Sequence, residues 1–485
     1  MQPQIEVIPL GGHSDFGRNM TAVRVGRDIV IFDMGVKLDP LQDLPEGEGV
    51  DTLSAAELTA IGAIPDDAPL SAVDGNVVAI VVSHAHADHV GAVQVLAGRY
   101  PKAPIYGSPY TIAFVEDQCT PRDRRLASEG RLTIPNRLVA LGPKDRARLG
   151  RGAIELELVH VTHSIPGTTM PVLHTAAGAI VYALDFKLDD TPILGKGPDY
   201  ARLAQIGREG VHVLITEATN AERDEKTDSE KVARTRLRDL LLGVDHDDEA
   251  IFVSTFSSHA ARLASIFDQA DALDRDVLLL GRSLDRYTGV AARTGHLDVP
   301  GFVETAPSRR HADDALRRVA DDPTRFVVVL TGHQGEPGAM LTRIAAGETT
   351  YNLTDRDDVV FASNVIPTDT CTAQRADLEA RLRRAHARVF KGAHASGHAS
   401  AIDHRELLVL LQPEHIVPAH GGLAIQNAYA ELAAAEGWRL RERVHVLANG
   451  ERHVVGAAPS PGPRRHEEIP RAAAVRRRAP RVRAR

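Results

Sequence analysis

Short apolar runs alternate with amphipathic segments along most of the chain. The runs are four to seven residues long and nearly continuous, which is typical of strands buried on both faces of a sheet. They lie at 29–33, 77–83, 180–185, 211–216, 277–280, 326–330 and 359–362. Segment 227–243 predicts a helix, because Thr227 and Glu230 fit a capping box and leucines recur at helical spacing. The alternation predicts an α/β fold, a layered sheet covered by helices.

Polar side chains stand where several of these runs end. Asp33 and Asp185 close two runs. His84 directly follows a third run, and Glu217 follows a fourth. In α/β proteins, ligands bind at strand ends and the adjoining loops, because the packed strands fix the backbone while the loops expose side chains. We therefore expect these residues to line one site.

The richest cluster is His84-Ala85-His86-Ala87-Asp88-His89, directly after a buried strand. A continuous strand or helix could not present all four polar side chains on one face, whereas a tight strand-to-helix turn can wrap them around two neighbouring ions. Nitrogen and oxygen ligands of this kind suit zinc or manganese. A polar surface loop is the alternative, but the preceding buried strand favours metal. His163 and Asp185 are candidates for further ligands.

Composition narrows the class of protein. The chain of 485 residues is 43% hydrophobic and 25% charged, which is ordinary for a soluble globular protein and excludes general disorder. No stretch approaches the roughly 18 to 20 uncharged apolar residues of a membrane span, and the N-terminus lacks a signal core. We expect a cytoplasmic protein with no membrane partner. The two cysteines, Cys119 and Cys371, exclude a disulfide framework and a thiolate zinc site.

Charge is unevenly distributed. Residues 461–485 contain nine Arg and two Glu, so this segment carries a charge of +7. Since the net charge of the chain is −8, the first 460 residues carry −15. With few large apolar side chains, the segment cannot bury enough surface to fold alone. We expect a disordered, Arg-rich tail over 457–485, and its affinity for nucleic acid is left open.

The cluster at 84–89 matches the HxHxDH motif of the metallo-β-lactamase superfamily, which the chain resembles. The resemblance implies that one metal ion is held by His84, His86 and His163, another by Asp88 and His89, and that Asp185 bridges both. It implies that Asp33 orients ligands without binding metal. Two cations about 3.5 to 4 Å apart lower the pKa of a shared water and stabilise an in-line displacement at phosphorus. The expected cofactors are two divalent ions, with Zn²⁺ favoured over Mn²⁺ or Mg²⁺.

Residues 221 to about 370 have their own alternation of strands and helices and are numerous enough for an inserted domain. Together with HASGHAS (394–400) and VPAHG (417–421), this interval resembles the β-CASP nucleases, in which a second domain caps the metal site and nucleic acid runs between the two. Phrases in order along the body resemble the ribonuclease J family, especially its archaeal type, including GRNMTAV (17–23), TFSSHAARL (255–263) and TGHQGEPGAMLTRIA (331–345).

This resemblance implies a fold and further site residues. The fold is a metallo-β-lactamase αββα sandwich, with its first part at 1–220, a β-CASP domain at 221–370, its second part at 371–456 and the tail at 457–485. His420 is implied to complete the second metal's ligands. His398 is implied to contact phosphate, with Glu217 orienting a histidine. We take His398, Asp88 and Glu217 as the catalytic candidates.

Loops of the inserted domain supply candidate phosphate contacts. Backbone N–H groups in the TGHQGEP loop, which precedes a predicted helix, favour a phosphate. A plain turn is the alternative for this loop, and a structural ion pair is the alternative for Arg282. The full set of candidate RNA or phosphate contacts is His394, Ser396, Gly397, His398, Arg282, Ser283, Gly332, Gln334 and Gly335.

Two differences between this sequence and the family limit how far the family's properties can be assigned to it. The bacterial members usually have a further C-terminal domain, whereas we expect only the Arg-rich arm after residue 456, as in the archaeal-type members. We therefore expect no dimerisation through that domain, and a homodimer is left open. Gly422 follows His420-Gly421 where the family commonly has Glu, so one contact is in doubt.

We predict a two-metal ribonuclease that degrades single-stranded RNA from its 5′ end and prefers a 5′ monophosphate. An endoribonuclease on the same fold is the main alternative. A small-molecule metallo-hydrolase would not need the inserted domain, and a non-catalytic RNA-binding scaffold would be expected to lose ligands. Single-stranded DNA stays open as a substrate.

Overall fold

The computed structural model describes residues 3–45, 48–121, 131–246, 249–366 and 368–456. The described residues up to Val455 belong to one compact unit, the first unit. The predicted Arg-rich tail at 457–485 lies outside the described residues. No helix in the described ranges is long and apolar enough to cross a membrane.

The described residues of the first unit form three sheets. The first has the order β19-β1-β2-β3-β4-β5-β6. Its strands are β1 (Ile5–Gly11), β2 (Met20–Val25), β3 (Asp28–Phe32), β4 (Asn76–Val81), β5 (Ile105–Gly107), β6 (Leu138–Ala140) and β19 (His453–Val454). The second has the order β18-β11-β10-β9-β8-β7. Its strands are β7 (Arg146–Leu149), β8 (Ile154–His160), β9 (Thr169–Thr175), β10 (Gly178–Ala183), β11 (Val211–Glu217) and β18 (His415–Ala419).

The third sheet is parallel throughout, in the order β14-β13-β15-β12-β16-β17. Its strands are β12 (Ala250–Ser254), β13 (Asp276–Leu280), β14 (Val303–Ala306), β15 (Phe326–Leu330), β16 (Asp357–Phe361) and β17 (Arg388–Phe390). In sequence, all six strands lie between β11 and β18. The predicted boundaries at 220, 370 and 456 stay predictions, although β17 lies after residue 370.

Helices connect and cover the strands. The α-helices are Asp39–Gln42, Ala55–Ala60, Ala87–Val90, Val93–Leu96, Pro109–Cys119, Tyr200–Glu209, Glu230–Leu242, Ala260–Ala272, Arg282–Arg293, Arg309–Asp321, Met340–Ala345, Asp369–Arg384, Ala401–Leu411 and Leu423–Ala435. Short 3₁₀ helices are Ala68–Ala72, Ala97–Arg99 and Pro323–Arg325.

The first two sheets pack face to face. Phe32 of β3 stacks on Tyr182 of β10, with ring centroids 4.6 Å apart, and both rings are fully buried. Apolar side chains from the helices cover the outer faces, for example Leu96 on the first sheet and Leu407 on the second. Strands buried on both faces must be apolar on both faces, which explains the continuous apolar runs. The predicted αββα sandwich with an inserted α/β domain is confirmed.

One local prediction is wrong. The helix Glu230–Leu242 has Ser229 as its N-cap, not Thr227. The Thr227 hydroxyl instead donates to the carbonyl oxygen of His398 over 2.8 Å. The Glu230 carboxylate accepts two hydrogen bonds from the buried guanidinium of Arg262, at 2.6 and 3.0 Å. Both partners of the predicted capping box are therefore engaged in tertiary contacts.

Candidate metal centre

Parallel pairing brings the polar strand ends to one edge of the sandwich. In β3 and β4, Phe32 pairs with Val81, so the chain emerges from both strands at the same level. In β11 and β18, Glu217 pairs with Ala419, immediately before His420. Neighbouring parallel strands end at the same edge of a sheet, and that edge carries the metal motif.

Four side chains converge on a first candidate position. Nδ1 of His86 lies 3.1 Å from Nε2 of His84 and 3.0 Å from Nε2 of His163. Oδ2 of Asp185 lies 3.5 Å from Nε2 of His84 and 3.6 Å from Nε2 of His163. Imidazole nitrogens and a carboxylate oxygen this close together are a candidate ligand set for one cation.

A second position lies beside the first. Nε2 of His89 is 3.4 Å from Oδ2 of Asp88 and 3.2 Å from Oδ2 of Asp185. His420 completes this group, with its Nε2 3.9 Å from Oδ2 of Asp88. Asp185 belongs to both groups. Its buried Oδ1 accepts no hydrogen bond from the described residues, so the donor set fits a pair of divalent cations.

The backbone at this edge is held in an uncommon conformation. Asp33, Asp185 and His420 have φ angles of 59°, 54° and 57°, in the left-handed region that side-chain-bearing residues seldom adopt. Such positions persist only when surrounding structure fixes them, and they concentrate at functional sites. Three strand ends are turned in this way to aim their side chains inward.

Electrostatics keep His86, His163 and Asp185 in the forms that bind metal and give the site a negative potential around His89. Burial lowers the pKa of His86 and of His163 well below the usual value. The ring of His84 lowers the pKa of His86 further, and the ring of His86 lowers that of His163, so both remain neutral. Burial alone would favour a neutral Asp185, but the charges of His420 and His89 outweigh it and hold its pKa well below the usual range. Burial opposes protonation of His89, yet Asp185 and Asp88 raise its pKa well above normal. The same negative potential would attract a cation.

Neighbouring groups fix the orientation of the candidate ligands. Asp33 accepts from Nδ1 of His89 over 2.8 Å, and its other contacts are the backbone N–H and hydroxyl of Ser83 at 2.8 and 3.0 Å. Nδ1 of His163 donates to the carbonyl oxygen of Gly397 over 2.6 Å. A Cβ at Gly397 would lie 2.9 Å from the His163 ring, so only glycine allows this approach.

Asn19 is a site residue that the sequence did not single out. Its buried amide donates to the backbone carbonyl of Asp88 over 3.1 Å and to the Asp88 carboxylate over 3.2 Å, and it lies 3.1 Å from Nε2 of His89. Its Oδ1 lies 3.1 Å from Nδ1 of His420. One side chain therefore contacts three of the four candidate ligands of the second position. The phrase GRNMTAV contains it, but nothing local marks its role.

The inserted domain also reaches the motif. Oγ of Ser258 lies 3.0 Å from Nε2 of His86, and the Tyr287 hydroxyl donates to the carbonyl oxygen of Ala85 over 3.2 Å. Sequence reasoning missed both residues, because neither contact follows from spacing along the chain.

The buried Glu217 and the partly exposed His398 form a pair beside the first position. Nδ1 of His398 donates to Oε2 of Glu217 over 2.8 Å, while Oε1 accepts from the backbone N–H of Phe186 over 2.8 Å. Burial disfavours a charged His398, but the carboxylates of Glu217 and Asp185 outweigh it and raise its pKa to about 9. The rings of His398 and His163 lie 5.2 Å apart. His398 is thus a protonated donor next to the metal ligands.

The other candidate phosphate residues occupy several environments. Ser396 accepts from the backbone N–H of His398 over 3.1 Å. His394 is partly buried. Burial, and after it the charge of Arg262, lower the pKa of His394 to about 3. Arg282 and Ser283 are exposed in the first turn of Arg282–Arg293. Their phosphate contacts stay predictions.

The loop at 332–335 is built around backbone contacts. Gly332 and Gly335 have φ angles of 115° and 80°, which favour glycine. The Gln334 amide donates to the carbonyl of Asn364 over 3.0 Å and accepts from the N–H of Ile366 over 2.9 Å. Gln334 is therefore engaged in holding loops together, and a phosphate contact at this loop stays a prediction for its backbone.

A separate group, His246, Glu249 and Asp358, also brings donor atoms together. Arg388 neutralises it, with ion pairs of 2.5 Å to Glu249 and 2.6 Å to Asp358. An arginine already occupying the carboxylates indicates a structural ion network rather than a metal site.

Comparison with family models gives three matches along the chain. "Beta-lactamase superfamily domain" matches residues 59–228, "Ribonuclease J, beta-CASP domain" matches 248–376, and "Zn-dependent metallo-hydrolase RNA specificity domain" matches 384–445. The three segments contain all seven candidate metal ligands.

Curated relatives match over nearly the whole chain. Ribonuclease J of Methanocaldococcus jannaschii is 42% identical over 449 residues, covering 92% of this chain and 98% of that protein. Ribonuclease J of Pyrococcus abyssi is 41% identical, covering 93% and 97%, and that of Mycolicibacterium smegmatis is 33% identical, covering 89% and 72%. A crystal structure of a protein of unknown function from Enterococcus faecalis V583 shares the fold, with a TM-score of 0.60 at 17% identity over 93% of this chain and 100% of that one.

Proposed function

The chain belongs to the ribonuclease J family, and from that premise we propose that it is a two-metal exonuclease that degrades single-stranded RNA from the 5′ end and prefers a 5′ monophosphate. The coarser activity is that of a metal-dependent ribonuclease, a hydrolase that binds RNA. The finer activity, the RNA end it requires and the residue roles given below are proposals.

The observation that carries the proposal is the sharing of Asp185 between two donor groups. One ion would be held by His84, His86, His163 and Asp185, and the other by Asp88, His89, His420 and Asp185. Zinc is the favoured metal for this mixture of imidazole and carboxylate, with Mn²⁺ and Mg²⁺ as alternatives. Two such cations, when bound, lower the pKa of water and neutralise charge on a phosphodiester.

The protein's own residues supply orientation and a proton. Protonated His398 would donate a hydrogen bond to the scissile phosphate and pass a proton to the leaving 3′ oxygen. Glu217 holds the His398 ring through Nδ1, which leaves Nε2 for the substrate. Asp33 keeps a proton on Nδ1 of His89, so that its Nε2 lone pair faces the second position.

RNA would lie between the sandwich and the inserted domain. The contacts of Ser258 and Tyr287 with the metal motif support this position, because they make one wall of the centre from the inserted domain. Arg282, Ser283 and the loop at 332–335 would receive the 5′ phosphate. A cytoplasmic location and a homodimer remain predictions from the sequence.

The test uses a single-stranded RNA with a 5′ monophosphate and different labels on its two ends. Purified protein with zinc or manganese should release labelled 5′ mononucleotides at once, and a 5′ triphosphate version should be cleaved more slowly. His86→Ala should abolish both reactions. Internal fragments appearing first would replace the exonuclease with an endonuclease, and metal-independent or absent cleavage would contradict the proposal.

A further inference from the structure

Phe16 is the most exposed aromatic residue of the described chain. All the Phe, Tyr and Trp residues lie in the described ranges. Among them only Phe16 is exposed, with 38% of its surface accessible to solvent. Exposed apolar residues are common singly on protein surfaces. The significance of Phe16 therefore depends on where its ring lies.

The ring lies against the metal centre. Its centroid is 5.6 Å from that of His420, and the two rings are nearly perpendicular, at 78°. His420 is a candidate ligand of the second position, and its own ring is stacked near those of His89 and His398, with centroids 5.6 and 5.5 Å away. The phenyl group thus forms an exposed apolar border at the edge of the proposed catalytic site.

The loop that carries Phe16 is anchored on both sides. Asp15 pairs with Arg18 at 3.2 Å and with Lys37 at 2.8 Å. The backbone N–H of Arg18 donates to the carbonyl of Val36 over 3.0 Å, and Gly17 has a φ of 81° that suits glycine. The ring is therefore presented by a fixed loop, in which Arg18 and Lys37 are both paired with the carboxylate of Asp15.

We propose that Phe16 is a stacking platform for an RNA base next to the scissile phosphate. This inference rests on the proposed function, because it assumes that RNA reaches the metal centre. Exposed aromatic rings combined with nearby cations are the common way to hold single-stranded nucleic acid, since every base has a face that can stack. A phenyl ring offers no hydrogen-bond donor or acceptor, so this contact holds the strand without reading its sequence. Purines should bind more tightly than pyrimidines at this position, because they present more surface.

The first test measures RNA binding with chelator present, so that cleavage does not interfere. Fluorescence anisotropy of a labelled 5′-monophosphate RNA is measured for wild type, Phe16→Ala, Phe16→Leu and Phe16→Trp, with Val409→Ala, an exposed apolar residue on Ala401–Leu411, as the matched control. Stacking contributes roughly 1 to 3 kcal/mol per base, so Phe16→Ala should weaken binding about 5- to 150-fold. Phe16→Leu should lose a similar amount, Phe16→Trp should retain affinity, and the control should not change.

A second measurement identifies the contact as stacking on a base. RNAs with one abasic nucleotide at each position in turn are compared on wild type and Phe16→Ala. At one position, removal of the base should weaken wild type as much as the substitution does, and the two changes together should cost no more than either alone. Unchanged affinity in Phe16→Ala, full affinity in Phe16→Leu, or equal losses on all abasic RNAs would overturn the proposal. If wild type binds but does not cleave RNA, the proposed function fails while the stacking result still stands.

Discussion

Ser258 of the inserted domain lies 3.0 Å from Nε2 of His86, although 172 residues separate the two in the chain. Because the other nitrogen of His86 faces the first metal position, this contact fixes which nitrogen carries the proton. The inserted domain is thereby joined directly to the metal motif that it covers.

Removing the Ser258 hydroxyl should weaken metal binding at the first position. Loss of a hydrogen-bond partner of a ligand typically lowers metal affinity roughly 10- to 100-fold. We expect Ser258→Ala to need correspondingly more free zinc for half-maximal RNA cleavage, measured in zinc buffers. Ser257→Ala, a change in the same loop, is the matched control and should behave as wild type. If RNA cleavage by Ser258→Ala and Ser257→Ala depended on free zinc in the same way, Ser258 would have no role in metal binding.

Asn19 should govern the second position. Its amide contacts Asp88, His89 and His420, so Asn19→Ala leaves all three without a common anchor. At a zinc concentration that loads two ions per wild-type chain, the variant should hold about one, because affinity at the second position falls roughly 10- to 100-fold. Metal content after gel filtration measures this, with the exposed Asn352→Ala as control. Two retained ions in Asn19→Ala would contradict the assignment.

The carboxylate of Glu217 should matter through His398. Glu217→Gln preserves the shape of the side chain, but it removes the negative charge and can place an amide N–H against Nδ1 of His398. We expect kcat to fall roughly 100-fold or more, as for loss of a positioned general acid, with metal content unchanged. Glu225→Gln, a nearby change outside the centre, is the control. A variant with normal kcat would show that His398 does not need its carboxylate partner.

A histidine cluster away from the metal centre should make folding sensitive to acid. Burial, then the charges of His453 and His415, lower the pKa of His445 to about 3, and burial also lowers those of His415 and His453. Other ionisable groups that act on this cluster are His212, Glu414, Arg443 and Glu451. In the unfolded chain a histidine takes up its proton near pH 6.5. The stabilisation is therefore complete above about pH 6.5 and is lost as the pH falls toward 3.

Urea unfolding at pH 7.5 and 5.5 tests this dependence. Wild type should lose unfolding free energy on acidification, and His445→Gln should lose less between the same two pH values. His311→Gln, at an exposed position on Arg309–Asp321, should keep the wild-type dependence. Equal pH dependence in all three proteins would exclude the cluster as a cause.

The sequence was most informative where the chemistry is local. Four candidate ligands lie within the six residues 84–89, so their spacing alone predicts a metal site. The apolar runs predict strands because strands buried on both faces must be apolar on both. The roles of Asn19 and Ser258 depend on contacts with residues 69 or more positions away, which no local pattern encodes. For the same reason the capping box at Thr227 failed: tertiary partners engaged both of its members.

Gly397 illustrates the same limit within a recognised motif. The family phrase predicts a phosphate contact there, and that contact stays a prediction. In the structure the carbonyl oxygen of Gly397 accepts a hydrogen bond from Nδ1 of His163, and the absence of a side chain leaves room for that ring. A motif identifies which residues belong to a site, but the role of each residue depends on which other side chains the fold places in contact with it.

The central claim is that RNA cleavage requires two cations sharing Asp185. The most direct measurement titrates zinc into metal-free protein while the RNA cleavage rate and the zinc bound per chain are followed together, for wild type and Asp185→Asn. We expect no cleavage without metal, a rate that reaches its maximum at two ions per chain, and almost no cleavage by Asp185→Asn at any zinc concentration. A maximal rate at one ion per chain, or substantial cleavage by Asp185→Asn, would contradict it.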